Sequence, residues 1–192
     1  MLISEAPWRQ GIKEILSQRQ RQVITTEGLK PSAVLVPIYE KVGEYYVVLT
    51  KRTQDVEHHK GQVSFPGGAY DEGDGDLKTT ALREAFEEIG VRGEDVEILG
   101  NLDDQATITS NFAITPFVGA IPYPYGFRVN RKEVEELIEA PVAVLLNRDC
   151  SSSQPRDSKG KPHPQGYYHF RDYNITGITA LILEQFLELA FA

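Results

Sequence analysis

"GQVSFPGGAYDEGDGDLKTTALREAFEEIGV" occupies residues 61–91, and near its end Glu84, Glu87 and Glu88 crowd into one turn just before Gly90. Residues 77–89 read as a helix with Gly90 as its stop signal. At about 100° per residue, Glu88 lies about 40° to one side of Glu84 and Glu87 about 60° to the other. Leu82, Ala85, Phe86 and Ile89 fall roughly 100–200° round the same wheel and are expected to form the buried face. Like charges at these spacings cost a few tenths of a kcal/mol each, and negative charge at a helix C-terminus costs about 0.3–1 kcal/mol more. A hard divalent cation turns that penalty into a binding site, because it takes carboxylate oxygens and keeps waters for a substrate. The competing reading is a solvated acidic face that Arg83 partly neutralises.

The residues upstream favour the cation. Gly67 and Gly68 follow Phe65-Pro66 and stand at the far end of the acidic loop 71–76. A glycine there lets a backbone carbonyl approach a metal that a side chain would block. Hydrolysis of a diphosphate needs this kind of site: charge neutralised on two adjacent phosphates, a positioned water and a base.

Working outward, residues 7–20 read as an amphipathic helix with Ile12, Ile15 and Leu16 on one side. Residues 31–40 and 44–52 are β-branched and aromatic runs, and Lys41-Val42-Gly43 between them is a hairpin signal. Segments 96–104 and 113–121 look like further strands, "RKEVEELIEA" (131–140) like a short helix or turn, and "PVAVLL" (141–146) is one more apolar run. Residues 147–166 are rich in Ser, Pro, Gly and charge, the composition of a long loop, either a lid or disordered. Residues 167–175 resume β character and 176–190 close as a helix. The order predicts one α/β unit, a mixed sheet packed between helices, with residues 1–30 as a helical extension and 31–192 as the main domain.

A formal charge of −8 argues against a nucleic-acid partner, which calls for a basic surface. No apolar run reaches the roughly 18–20 residues of a membrane span, and the first 22 residues do not make a signal peptide. The single cysteine, Cys150, excludes an intramolecular disulfide framework and suits a reducing, cytoplasmic setting. It sits in a serine run with no base that claims it as a nucleophile.

Residues 83–91, "REAFEEIGV", complete the second half of the Nudix box, and the chain resembles the Nudix hydrolases. Counting from Gly68, the acidic position of the first half falls on Asp74, with eight residues instead of seven before Arg83. That departure resembles the coenzyme A diphosphatase branch. So does "VLTKRTQDVEHHKGQVSFPGG" (48–68), where Thr50, Arg52, His59, Gly61, Gln62 and Phe65 to Gly68 match the branch signature. Thr53 replaces a serine there, and Glu57 reverses the charge of an arginine. "LGNLDDQATITSNFAITPFVGAI" after the box and "GITA" (177–180) also look like this branch, with Thr176 in place of a tryptophan.

The resemblance implies an α/β/α sandwich around a mixed sheet, the Nudix fold. It implies Mg²⁺ or Mn²⁺ held by Glu84, Glu87 and Glu88, with the Gly68 carbonyl as a further donor, and Arg83 orienting Glu84. The resemblance leaves the water-activating base open between Glu84 and a residue arriving from a later loop, Glu133 or a neighbour in "RKEVEEL". Arg52, His59, Gln62, Gly67 and Gly68 are candidates for substrate contact, or else pin the loop that leads into Phe65. Tyr123, Tyr125 and Phe127 either stack on a base or pack around the neighbouring prolines. The implied substrate is coenzyme A or a derivative, cleaved to 3′,5′-ADP and 4′-phosphopantetheine. ADP-ribose or a dinucleotide is the alternative within the same chemistry, and a nucleotide sensor without turnover is the alternative class. A homodimer is admitted as an assembly state.

Overall fold

The computed structural model describes residues 6–25, 28–53, 61–107, 110–147 and 167–191. Along the chain these form α1 (Pro7–Gln18), β1 (Lys30–Lys41), β2 (Glu44–Arg52), β3 (Val63–Ser64), β4 (Gly67–Ala69) and α2 (Leu77–Ile89). They continue with β5 (Glu97–Asn101), β6 (Gln105–Ala106), β7 (Phe112–Ala120), β8 (Val134–Pro141), α3 (Val142–Leu145), β9 (Tyr167–Phe170), β10 (Tyr173–Thr176) and α4 (Gly177–Phe191).

β1 is nearly all apolar because it is buried on both faces, as a central strand must be. It runs parallel to β7 over Lys30–Ile38 and antiparallel to β2 and β4, so the sheet is mixed. Its side chains alternate between two cores. Val36 and Ile38 join one with Ile12 and Leu16 of α1 and with Ile182, Leu183 and Phe186 of α4. Ala33, Leu35 and Tyr39 join the other with Ala81, Ala85 and Ile89 of α2. Helices therefore cover both faces, and the α/β/α sandwich expected from the resemblance is the fold found. None of the described helices is long and apolar enough to cross a membrane.

Several local readings change. Residues 131–140 are no helix: most of that stretch is β8, paired antiparallel along β2 from Tyr46 to Arg52. Its Val134, Ile138 and Ala140 turn inward while Glu135, Glu136 and Glu139 stay exposed, a spacing that serves a strand once β2 offers its open edge. The apolar run after it ends in the short helix α3. On α1, Ile12 and Leu16 are buried but Ile15 is 41% exposed, since only a narrow stripe of this helix meets the sheet.

The β1–β2 hairpin turns at Val42 (φ 53°) and Gly43 (φ 80°), both left-handed as a two-residue primed turn requires. Val42 is β-branched and 95% exposed, so it takes the strain of that conformation without compensating contacts. Val42→Asn is expected to stabilise the fold by about 1 kcal/mol, seen as a higher urea midpoint with an unchanged slope.

Candidate functional site

The loop–helix stretch is locked locally before it meets the sheet. Asp71 and Asp74 cap each other across the 3-10 turn Glu72–Asp74, through Gly73 N–H to Asp71 Oδ1 (2.9 Å) and Asp71 N–H to Asp74 Oδ2 (3.1 Å). Asp76 then caps α2 by accepting from Thr79 N–H at 2.7 Å. Gly90 ends the helix at φ 73°, and a Cβ there would lie 2.7 Å from Cβ of Arg128.

Of the face expected to be buried, Ala85 and Ile89 are buried and Leu82 is partly so, but Phe86 is not. Thr80, Ala81, Ala85, Glu88 and Ile89 are buried, and Phe86 is 56% exposed. On the same wheel that arc is centred about 90° away from the expected one, and it takes in both Glu84 and Glu88. Thr80, Ala81 and Ala85 are small enough to bring the helix close under β1 and β4. A Phe86 on that side would hold it off.

The three glutamates consequently part company. Glu87 stays half exposed, its side chain 51% accessible. Glu84 is pressed against β4: a Cβ on Gly68 would stand 2.7 Å from Glu84 Oε2. Glu88 is 2% exposed, and its Oε1 accepts from Arg52 Nη1 at 3.3 Å while Oε2 has no hydrogen-bond partner. Burial pushes the Glu88 carboxyl up to about 8, against the opposing pull of Arg52 and the Gly67 N–H, with Glu84 and Glu133 adding repulsion. The Glu84 carboxyl is raised too, by burial first, although Arg83 works against it.

Arg83 is the hub. Its Nε and Nη2 grip Asp74 at 2.7 and 3.0 Å, Nη2 also donates to the Ala69 carbonyl at 3.1 Å, and Nη1 reaches Glu84 (2.8 Å) and Glu87 (3.2 Å). The paired guanidinium holds the Asp74 carboxyl well below the usual carboxylate range. Asp74 is only 4% exposed, so the pair is shielded from solvent on one side. The sequence marks Asp74 as the acidic position of the loop; its grip on Arg83 emerges only when the loop folds back. Among the described residues no three Asp, Glu, His or Cys side chains form a finished cation cage, and Arg83 pairs with both Glu84 and Glu87.

Glu133 arrives in the turn before β8, where its carbonyl accepts from Thr53 N–H (2.9 Å) and its Oε1 accepts from Asn130 Nδ2 (3.0 Å). Its charge is felt by both Glu84 and Glu88. Arg52, Gln62, Gly67 and Gly68 all line one cavity of about 730 Å³ on the α4 side of the sheet, with Gly68 touching Glu84 from its other side. Arg52 therefore faces both the cavity and Glu88. Gly67 has a packing role besides, since a Cβ there would strike the β1 backbone at Val34. Tyr123, Tyr125 and Phe127 line a different, smaller cavity; Tyr123 stacks on Tyr39 at 5.2 Å and Tyr125 donates to Asp95 at 2.8 Å, which is structural packing. His59, Glu57, Cys150 and residues 149–166, read from sequence as either a lid or disordered, lie outside the described residues.

The donor chemistry suits a hard divalent cation: an unpartnered buried carboxylate oxygen on Glu88, a second carboxylate on Glu84, and a backbone that approaches them because Gly68 has no side chain. A helix carrying such carboxylates behind a glycine floor is the arrangement that the loop–helix resemblance implies. The chain belongs to the Nudix family: the NUDIX domain model matches residues 29–141. It is 34% identical over 175 residues to the uncharacterized Nudix hydrolase NudL of Enterobacter sp. (strain 638), covering 90% of this chain and 83% of that one. To the protein of the same name from Salmonella heidelberg (strain SL476) it is 36% identical over 172 residues, 88% of each. Its fold is similar to a Nudix hydrolase of M. smegmatis, RenU (TM-score 0.51, 20% identity, 70% of this chain and 77% of that one). It is also similar to a MutT/nudix family protein of Enterococcus faecalis (TM-score 0.53, 14% identity, 98% and 74%). The chain is thus a hydrolase of pyrophosphate bonds in nucleoside diphosphates linked to a further group, in a family that generally uses divalent cations.

Glu88 carries a pH signature. Its carboxyl titrates near 8 when folded and in the ordinary range when unfolded, so its contribution to stability is complete below the ordinary value and is lost as pH rises through about 8. In EDTA, urea unfolding is expected to show stability falling between pH 5 and 8, and Glu88→Gln is expected to flatten that slope.

Proposed function

We propose that the chain cleaves the diphosphate of coenzyme A or its acyl derivatives, giving 3′,5′-ADP and 4′-phosphopantetheine. The observation that carries this reading is Gly68, which lines a cavity of nucleotide size on one side and touches Glu84 on the other. The sequence of residues 48–68 supports coenzyme A in particular. A reducing cytosol, suited to the lone Cys150, is the proposed location.

In this reading Glu84, Glu87, Glu88 and the Gly68 carbonyl hold Mg²⁺ or Mn²⁺, which neutralises the charge of the diphosphate and of the group that leaves. Arg83 keeps Glu84 and Glu87 in place and, anchored on Asp74, can give up either without leaving the site. Glu133 accepts the proton of the attacking water, whose oxygen bonds to one phosphorus as the bridging P–O bond breaks. Glu133 is near enough for its charge to act on Glu84 and Glu88, and Glu84 is the alternative base. Arg52 is placed to offer a phosphate its free donors at the cavity edge, with Gln62 beside it and His59 a further proposed contact.

One feature favours a second reading. Among the described residues lining the cavity, Arg52 is the only cation and is already paired with Glu88. A substrate without a 3′-phosphate, such as ADP-ribose or a dinucleotide, would ask less of it.

Coenzyme A, dephospho-coenzyme A and ADP-ribose assayed side by side with Mg²⁺ or Mn²⁺ separate these readings. The highest kcat/KM is expected for coenzyme A, whereas equal turnover of the first two would remove any role for the 3′-phosphate. Glu133→Gln is expected to lower kcat about 10²-fold and leave cation affinity by calorimetry unchanged, while Glu84→Gln loses both.

A further inference from the structure

After α1 the chain continues through residues 19–24 as an irregular strap, and two adjacent aspartates receive it. Asp103 accepts from Arg19 Nη2, from Gln22 N–H at 2.8 Å and from Gln185 Nε2, and its own N–H donates to Gln185 Oε1 at 3.0 Å. Asp104 accepts from Arg21 Nη2 (3.3 Å), Ile24 N–H (3.1 Å) and Thr115 Oγ1 (2.7 Å), and its N–H donates to the Gln22 carbonyl at 3.0 Å. These contacts are largely shielded: the Asp103 and Asp104 side chains are 14% and 6% exposed, and Thr115 is 3% exposed. Shielded charge-assisted bonds of this kind hold geometry better than surface ion pairs do.

What the two aspartates join is specific. The residues after Asp104 form β6, whose Ala106 lines the large cavity together with Thr107. Thr115 belongs to β7, whose Phe112 and Ile114 line it as well. Gln185 sits one turn beyond Ile182 on α4, a helix that supplies another wall from Gly177 to Ile182. Three walls of one cavity thereby meet at Asp103 and Asp104, and the strap, which precedes the matched family domain at residue 29, is bonded onto that same pair.

We infer that residues 19–24 belong to the substrate-binding apparatus, with Asp103 and Asp104 as positioning residues that set the spacing of β6, β7 and α4 around the non-reacting part of the substrate. This rests on the reading that the cavity receives the substrate. The strap touches none of Glu84, Glu87, Glu88 or Glu133 in any described hydrogen bond or ion pair, so its loss should act on binding and spare the chemical step.

The test uses the full chain with Arg21→Ala, Asp104→Asn and the conservative Arg21→Lys. For the best of the three substrates above, KM is expected to rise about tenfold in the first two variants, with kcat within about twofold of wild type and most of the loss recovered by lysine. Amide exchange of residues 105–107, 112–115 and 177–182 should quicken about tenfold or more while α2 is unaffected. Unchanged exchange, or quicker exchange with unchanged KM, overturns the proposal. If wild type hydrolyses none of the three substrates, the substrate reading fails, and ADP affinity by calorimetry replaces KM. Weaker ADP binding in the variants then supports the strap, and equal affinity or no ADP binding by wild type overturns it.

Discussion

One guanidinium organises the site. Arg83 spends its donors on a buried aspartate, a backbone carbonyl and two glutamates, so the loop, β4 and the last turn of α2 share one set of bonds. Without it three glutamates at the C-terminal end of a helix would face each other and the negative end of the helix dipole. With it Glu84 and Glu87 share one guanidinium, while Glu88 pairs with Arg52. Asp74 matters because it is bidentate and almost fully buried, which keeps Arg83 seated when other partners come and go.

The second constraint is burial. Glu88 sits where an apolar side chain would ordinarily sit, paired on one oxygen only. A buried carboxylate whose one ion-pair partner is long is a poor stabiliser by itself. The arrangement makes sense in a site that binds positive charge, where the same desolvation strengthens every electrostatic contact made to a ligand. Stability has been given up locally for function, and the two apolar cores on either side of the sheet are large enough to carry the loss.

The small cavity at Tyr39 and Tyr123 and the large one at Gly68 show how the fold separates packing from binding. The first is filled with rings that stack on each other and with Lys41 over two of them. The second opens beside the acidic turn and mixes hydroxyls with aliphatic surface. Proximity to Gly68, and not aromatic content, is what distinguishes a candidate substrate site here.

Much of this was legible in the residues. The β1–β2 hairpin, the helix at 77–89 and its stop at Gly90 follow from β-branched runs, turn residues and the left-handed freedom of glycine, all local effects. The crowding of Glu84, Glu87 and Glu88 behind Gly67 and Gly68 is likewise legible, because spacing along a helix places side chains without any knowledge of the fold; that the turn takes a cation is the reading proposed for it. The rest needed the tertiary structure. "RKEVEELIEA" became mostly strand because β2 had an open edge, a fact held far away in the chain. Which side of α2 is buried was settled by how closely small residues let it approach β4, and this put Glu88 inside while leaving Phe86 outside. The pairings of Arg52 with Glu88, Asp74 with Arg83 and the strap with Asp103 and Asp104 join partners 9 to 84 residues apart. Local propensity carries no information on such pairs; they are decided when the sheet assembles and desolvation makes each buried charge find a partner.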